Sequence, residues 1–196
     1  NQSRRQRQMC IRDRIGGAGA TAFGTTGDTL IGTTNTVTIG FSDAIYKFGG
    51  DTTIKAGTTS TGTTFSGQNT KVDLNNKDLI ITNAVVIADG ELDINSAGGN
   101  ITLQGAVTSA GVDEGLRLDD GDSATGIITL GSTVSTGDLT LIGDDGILLG
   151  GNLTATDTAN STFSFTGPVT LTSDVTIDAD ANLSLIHISE PTRLRR

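Results

Sequence analysis

Pairs of aliphatic residues separated by one polar residue recur along the chain from Lys71 onward, and Gly, Asn or Asp stands between successive pairs. Examples are "ELDI" (91–94), "NITL" (100–103) and "DLTL" (138–141). Alternation with a period of two predicts short strands with one buried face, and the turn residues predict tight corners between them. β-Branched residues and Gly dominate and no apolar stripe persists at a spacing of 3.6, so no helix is predicted.

The aliphatic pairs fall into three columns, and each column recurs after 19 to 27 residues. A period of this length, in units too small to bury a core alone, is typical of a solenoid. The first column is Val72/Leu74, Leu92/Ile94, Leu116/Leu118, Leu139/Leu141 and Phe163/Phe165. The second is Leu79/Ile81, Ile101/Leu103, Ile128/Leu130, Ile147/Leu149 and Val169/Leu171. The third is Val85/Ile87, Val107, Val134, Leu153 and Val175/Ile177.

Three columns imply three strands in every coil. Stacking the coils would pair each strand in parallel with its counterpart about 4.8 Å away and would turn one side chain of every two into a shared core. Parallel crossover connections are overwhelmingly right-handed. We therefore predict an all-β fold, a right-handed parallel β-helix (β-solenoid) with about three short strands per coil of 19–27 residues.

The two ends of the chain differ from everything between them. "RRQRQMCIRDR" (4–14) and "LSLIHISEPTR" (183–193) resemble the two translated strands of the adapter used in transposase-based sequencing libraries. Segments of this kind are set aside before a fold is argued. We expect residues 1–14 and 183–196 to be non-native, and residues 15–182 to be a fragment of a longer protein. "LSLIHI" (183–188) nevertheless alternates like a strand and could add to the last coil.

Residues 71–182 are expected to form about five coils of the parallel β-helix. Residues 15–70 are less regular and are interpreted as an irregular β segment with a possible first coil. "TVTI" (36–39), "IYKF" (45–48) and "TTIK" (52–55) supply the strands of that coil, while residues 57–70 read as a polar excursion.

Charge and composition exclude several classes of function. Residues 15–182 keep five of the 13 basic residues and 20 of the 22 acidic ones, a net charge of −15. So acidic a segment has no electrostatic footprint for nucleic acid or anionic lipid. It also lacks Cys, Met and His, which removes imidazole bases, thiolate nucleophiles and the usual zinc ligands. No cofactor and no membrane-spanning segment are expected, since no apolar run approaches 18 residues.

One acidic corner has the composition of a cation site. Asp119, Asp120 and Asp122 in "LDDGDSATG" (118–126) are weak calcium candidates, because a hard cation takes several oxygen ligands. The loop lacks the later bidentate Glu of an EF-hand. Acidic, Gly-flanked corners are equally typical of any solenoid turn. Both interpretations remain open.

Parallel β-helices also serve as polysaccharide lyases and hydrolases, which need paired acids or a basic residue on one face. Arg117 stands between two inward positions and should point outward, with Asp93 and Asp138 one coil away on either side. A salt-bridge ladder on the surface explains the same trio without catalysis, and that interpretation is favoured. No catalytic residue is assigned and the chain is not predicted to be an enzyme.

"GNITLQGAVTSAG" (99–111) and "GDLTLIGDDGILLGGNLTA" (137–155) resemble the β-strand repeats of filamentous-haemagglutinin-like and autotransporter-type passengers of bacteria. The resemblance covers about residues 72–182. It implies a secreted or cell-surface location, an adhesin-like role as an extended stalk, and an unknown host or cell-surface ligand. A polysaccharide-degrading β-helix enzyme and a calcium-stabilised surface repeat module are the alternatives.

Overall fold

The computed structural model describes residues 22–25, 29–32, 37–39, 45–48, 52–55, 62–121, 125–157, 160–179 and 183–185. Within these ranges the chain contains 22 strands and no helix. The strands form three parallel sheets, and each coil contributes one strand to each sheet. The predicted β-solenoid with three strands per coil is therefore confirmed.

Each strand inside a sheet pairs with the strands three places before and after it in the chain, and the strands at the two ends of a sheet pair on one side, so each sheet runs along the whole stack. Sheet 1 contains β1 (Ala22–Thr25), β4 (Ile45–Phe48), β7 (Thr70–Asp73), β10 (Glu91–Asn95), β13 (Gly115–Asp119), β16 (Leu139–Ile142), β19 (Phe163–Thr166) and β22 (Leu183–Leu185). Sheet 2 contains β2 (Thr29–Gly32), β5 (Thr52–Lys55), β8 (Leu79–Ile81), β11 (Ile101–Leu103), β14 (Ile128–Leu130), β17 (Ile147–Leu149) and β20 (Val169–Leu171). Sheet 3 contains β3 (Val37–Ile39), β6 (Thr63–Phe65), β9 (Val85–Ile87), β12 (Val107–Ser109), β15 (Val134–Thr136), β18 (Leu153–Ala155) and β21 (Ile177–Asp178).

The core is a single column of aliphatic and aromatic side chains that lies between the three sheets. Ile101, Ile128 and Ile147 are in register on neighbouring strands of sheet 2, and all three are fully buried. Each such side chain contributes about 1.5 to 3 kcal/mol when it leaves water. Inward residues inside the stack are covered by the coils above and below, so each coil depends on its neighbours for stability. Leu171, on β20 at the end of sheet 2, lacks this cover and is 39% exposed.

At the corners the backbones of neighbouring coils lie in close contact, and this contact explains why two of the corner residues are glycine. A Cβ on Gly167 would lie 1.9 Å from the carbonyl oxygen of Gly143, and one on Gly62 would lie 2.1 Å from that of Ala84. Both residues also have positive φ angles, of 110° and 107°. Only glycine satisfies both conditions without strain.

The register of the first column differs from the prediction at one place. Leu92 pairs with Thr70 and Ile94 pairs with Val72, two residues away from the expected partners Val72 and Leu74. Leu74 lies beyond β7, fully buried at the corner. A shift of two residues keeps the same side chains inward, so alternation alone cannot detect it.

The third column shows the same kind of shift at its end. Leu153 pairs with Ile177, not with Val175. Val175 and Ile177 are both half-buried against the core, so their hydrophobicity does not distinguish the two registers.

The stretch read as a polar excursion, residues 57–70, is a correction to the prediction. It contains β6, which pairs with β3 and β9 in sheet 3. The strands predicted in "TVTI", "IYKF" and "TTIK" are present as β3, β4 and β5, one in each sheet, and β6 follows them as a further strand of sheet 3. Thr63 occupies an inward position and is fully buried. A search for aliphatic pairs does not detect such a strand, because threonine is not aliphatic.

The strand expected in "LSLIHI" is present as β22, which pairs with β19. The exposed edge of a sheet accepts any segment of suitable pattern. The pairing is thus independent of the origin of these residues. The segment 1–14 and Asp122 lie outside the described residues.

Candidate functional site

The outer face of sheet 1 holds the four ion pairs found among the described residues. Its members come from alternate positions of β4, β7, β10 and β13, which the parallel register aligns. Lys71, Asp93 and Arg117 follow one another across three strands. Lys71 Nζ lies 3.5 Å from Asp93 Oδ2, and Arg117 Nε lies 3.5 Å from Asp93 Oδ1. We call Lys71, Asp93, Arg117 and Asp119 the charged ladder.

Arg117 is shared between two carboxylates. Besides Asp93 on the preceding coil, its Nη2 donates to Asp119 Oδ2 on its own strand. A separate pair on the neighbouring row joins Lys47 Nζ to Asp73 Oδ2 at 3.7 Å. Every one of these side chains is partly exposed, so each pair is worth only about 0 to 1 kcal/mol. The ladder therefore contributes little to stability.

The predicted contact of Arg117 with Asp93 is confirmed, and the predicted place of Asp138 is wrong. In the next coil Thr140 is in register with Arg117. Asp138 precedes β16, and its Oδ1 accepts a hydrogen bond of 2.7 Å from the backbone N–H of Thr162. The carboxylate therefore stabilises a corner, and the second acid beside Arg117 is Asp119.

An open groove of about 450 Å³ adjoins the ladder, lined by Ile45, Asn69, Lys71, Glu91 and Asp93. It presents one cation, two carboxylates and an amide, with Ile45 as its apolar wall. Such a lining can hydrogen-bond polar groups of a partner. It offers no aromatic face of the kind on which sugar rings stack.

The calcium candidates are in unequal environments. Asp119 is already engaged, since its Oδ2 accepts from Arg117 and its Oδ1 accepts from the backbone N–H of Gly121 at 2.9 Å. Asp120 is fully buried, and Asp122 is outside the described residues. Among the side chains that the structure describes, no group of three or more His, Cys, Asp or Glu has the arrangement of a metal site. Calcium binding at this corner stays a prediction.

Asp120 is the residue whose role the sequence pattern did not reveal. Burial raises the pKa of its carboxyl from 3.8 to about 6, and the charges of Asp144 and Asp119 act in the same direction. Backbone N–H groups of Asp144 and Asp145 oppose that rise. Its Oδ2 has no hydrogen-bond partner among the described atoms. The alternation of the sequence does indicate that Asp120 is buried, because Leu118 points inward, Asp119 outward and Asp120 inward again.

Comparison of the chain with protein-family models, with curated proteins and with solved structures gives no match. Across the described ranges there is also no helix of the length and hydrophobicity that would cross a bilayer.

Proposed function

We propose that the chain is a structural segment of a large secreted or cell-surface bacterial adhesin-like protein, in which it forms part of an extended stalk. The observation that carries the proposal is the single core that continues through every coil. Each added coil of about 22 residues lengthens such a body by about 4.8 Å without a new type of contact. An architecture of this kind is suited to spanning distance.

The outer surface supports a role in presenting side chains to a partner more than a role in catalysis. The charges of the charged ladder neutralise one another at the surface, where water reaches them. Outer positions on sheets 2 and 3 carry threonine at Thr102, Thr129 and Thr154, with Ile80, Leu148 and Val86 at other positions of the same rows. Regular rows of this type offer repeated hydrogen-bonding groups to a partner surface.

Surface labelling tests the location. An antiserum raised against the purified chain should label intact bacteria that carry the gene, and electron microscopy should place the label on projections from the cell. Sequencing outward from the coding segment should reveal further repeats of the same period and a secretion signal. Labelling that requires cell lysis would contradict the proposal.

The enzyme alternative rests on the contact between Arg117 and Asp93. It predicts that the purified chain depolymerises an acidic or neutral polysaccharide, and that Asp93→Asn or Arg117→Ala abolishes this activity. Glu91→Gln, in the same groove but outside the ion pairs, is the matched control. Activity lost in the first two variants and retained in the control would replace the stalk proposal with an enzyme.

A further inference from the structure

The corner that follows sheet 1 stacks one buried residue per coil. Leu74, Ser96, Asp120 and Gly143 each donate a backbone hydrogen bond to the next coil, to the carbonyls of Asn95, Asp119, Ile142 and Thr166. These bonds place the four residues one above another. Leu74, Ser96 and Asp120 are all fully buried. A position that accepts leucine and serine in two coils therefore holds a carboxyl group in the third.

The serine at this position shows what the corner accepts. Ser96 Oγ donates a hydrogen bond to the carbonyl of Gly99 within its own corner. Asp120 Oδ1 accepts from the backbone N–H of Asp144 at 3.2 Å, while Oδ2 has no partner. An ionised carboxylate cannot donate, whereas a neutral carboxylic acid has one O–H to donate as the serine does.

Among the described residues, the charges that act on Asp120 are acidic, those of Asp144 and Asp119. Asp119 precedes it on β13, and Asp144 lies at the corner of the next coil, where the backbone N–H groups of Asp144 and Asp145 hydrogen-bond to the carboxyl group. The cation on the same strand, Arg117, is engaged by Asp93 and Asp119. The preceding coil brings Ser96 and Ala97 to this corner, and Gly126 packs so closely that a Cβ there would lie 2.8 Å from Asp120 Cβ and 2.8 Å from the Gly99 carbonyl oxygen. Asp120 is fully buried, and none of the ion pairs among the described residues includes it.

We propose that Asp120 is a proton-operated switch in this corner: neutral and stably buried in mildly acidic medium, ionised and destabilising at neutral pH. The direction follows from linkage. A buried acid whose pKa is raised from 3.8 to about 6 keeps its proton in the folded state over a range where the unfolded chain has lost it. Its stabilising contribution is complete below the unfolded pKa and is lost as the pH rises through about 6.

Thermal unfolding of the whole chain tests the switch through a difference between variants. Asp120→Asn removes the titration and keeps the shape, and Asp120→Ser reproduces the residue of the preceding coil. The melting temperature of Asp120→Asn minus that of the parent should rise by roughly 5 °C between pH 4.5 and pH 7.5. Using the difference cancels the general effect of pH on so acidic a chain.

Asp113→Asn is the matched control, because Asp113 is an exposed corner acid. The difference in melting temperature between Asp113→Asn and the parent should not change over the same pH range. If the difference for Asp120→Asn were equally independent of pH, the proposal would be overturned.

A measurement on the unsubstituted chain tests the proposal even if the variants do not fold. The carboxyl carbon of Asp120, followed by NMR, should titrate with a midpoint near 6. A midpoint close to 4 would contradict the switch. Millimolar Ca²⁺ separates the remaining alternative: a melting temperature that it raises at pH 7.5 in the parent but not in Asp120→Asn would assign the corner to a cation and not to a proton.

Discussion

The outer face of sheet 1 is charged from β4 to β13, whereas the outer faces of sheets 2 and 3 are almost neutral. In register with one another, sheet 1 presents Lys71, Asp93 and Arg117. Sheet 2 presents Thr102 and Thr129 at the corresponding positions, and sheet 3 presents Thr108 and Ser135. The inner faces of all three sheets carry mainly buried Leu, Ile and Val.

This difference separates what builds the solenoid from what distinguishes its surfaces. Inward residues are restricted by the shared core, so all three sheets use the same few types. Outward residues contribute little to folding and are free to vary. Surface chemistry that differs between sheets is therefore not determined by the core.

The largest effects are expected at inward positions, and they should be similar in all sheets. Leu118→Ala in sheet 1 and Leu130→Ala in sheet 2 should each lower the free energy of unfolding by about 2 to 5 kcal/mol, because each leaves a cavity in a fully packed core. Thr129→Ala, beside Leu130 but facing outward, should cost less than about 1 kcal/mol. Urea denaturation followed by circular dichroism measures all three. A Leu130→Ala variant no less stable than Thr129→Ala would break the distinction between faces.

The next largest effect on stability is expected at a corner, where a residue belongs to neither the inner nor the outer face of a sheet. Gly167→Ala should lower the free energy of unfolding by about 2 to 3 kcal/mol, because the new Cβ meets the Gly143 carbonyl at 1.9 Å and φ is 110°. Gly115→Ala is the control, since a Cβ there finds its nearest neighbour at an ordinary 3.5 Å. The free energy of unfolding of Gly115→Ala should stay within about 0.5 kcal/mol of that of the parent. Equal losses in the two variants would remove the steric explanation.

The smallest effect lies on the charged outer face itself. Asp93→Asn removes the partner of both Lys71 and Arg117 and should cost about 0.5 to 1 kcal/mol at low salt. The loss should largely disappear in about 1 M NaCl, where charges are screened within about 3 Å. Thr102→Ala, on the outer face of sheet 2, should show no salt dependence. A salt-independent loss in Asp93→Asn would mean that packing and not charge holds the ladder.

The repeat period allowed the fold to be predicted, and threonine limited how far the prediction reached. Aliphatic residues identified the strands from β8 to β20 because each of these strands has at least one inward Leu, Ile, Val or Phe, even where Thr136 or Ala155 fills the second inward position. In the earlier coils Thr52, Thr63 and Thr70 occupy inward positions and are fully buried. A hydrophobic pattern cannot distinguish an inward threonine from an outward one, so β6 and the register of β7 were missed.

The site residues were predictable to the extent that alternation fixes their direction. Arg117 and Asp93 were placed on one face because both lie between inward neighbours. Asp138 was misplaced because it belongs to a corner, where the period of two no longer applies. The burial of Asp120 depends on the corner of the next coil and on Gly126, which no local pattern specifies.

Spin-label distances test most directly whether the coils stack along one axis. With Cys10 replaced by Ser, labels at positions 53 and 129, 53 and 148, or 53 and 170 lie on outer positions of sheet 2 that are three, four and five strands apart. The backbone separations should be about 14, 19 and 24 Å, rising by about 4.8 Å with each coil. Distances that fail to rise by a constant step would contradict the stacked solenoid and everything inferred from it.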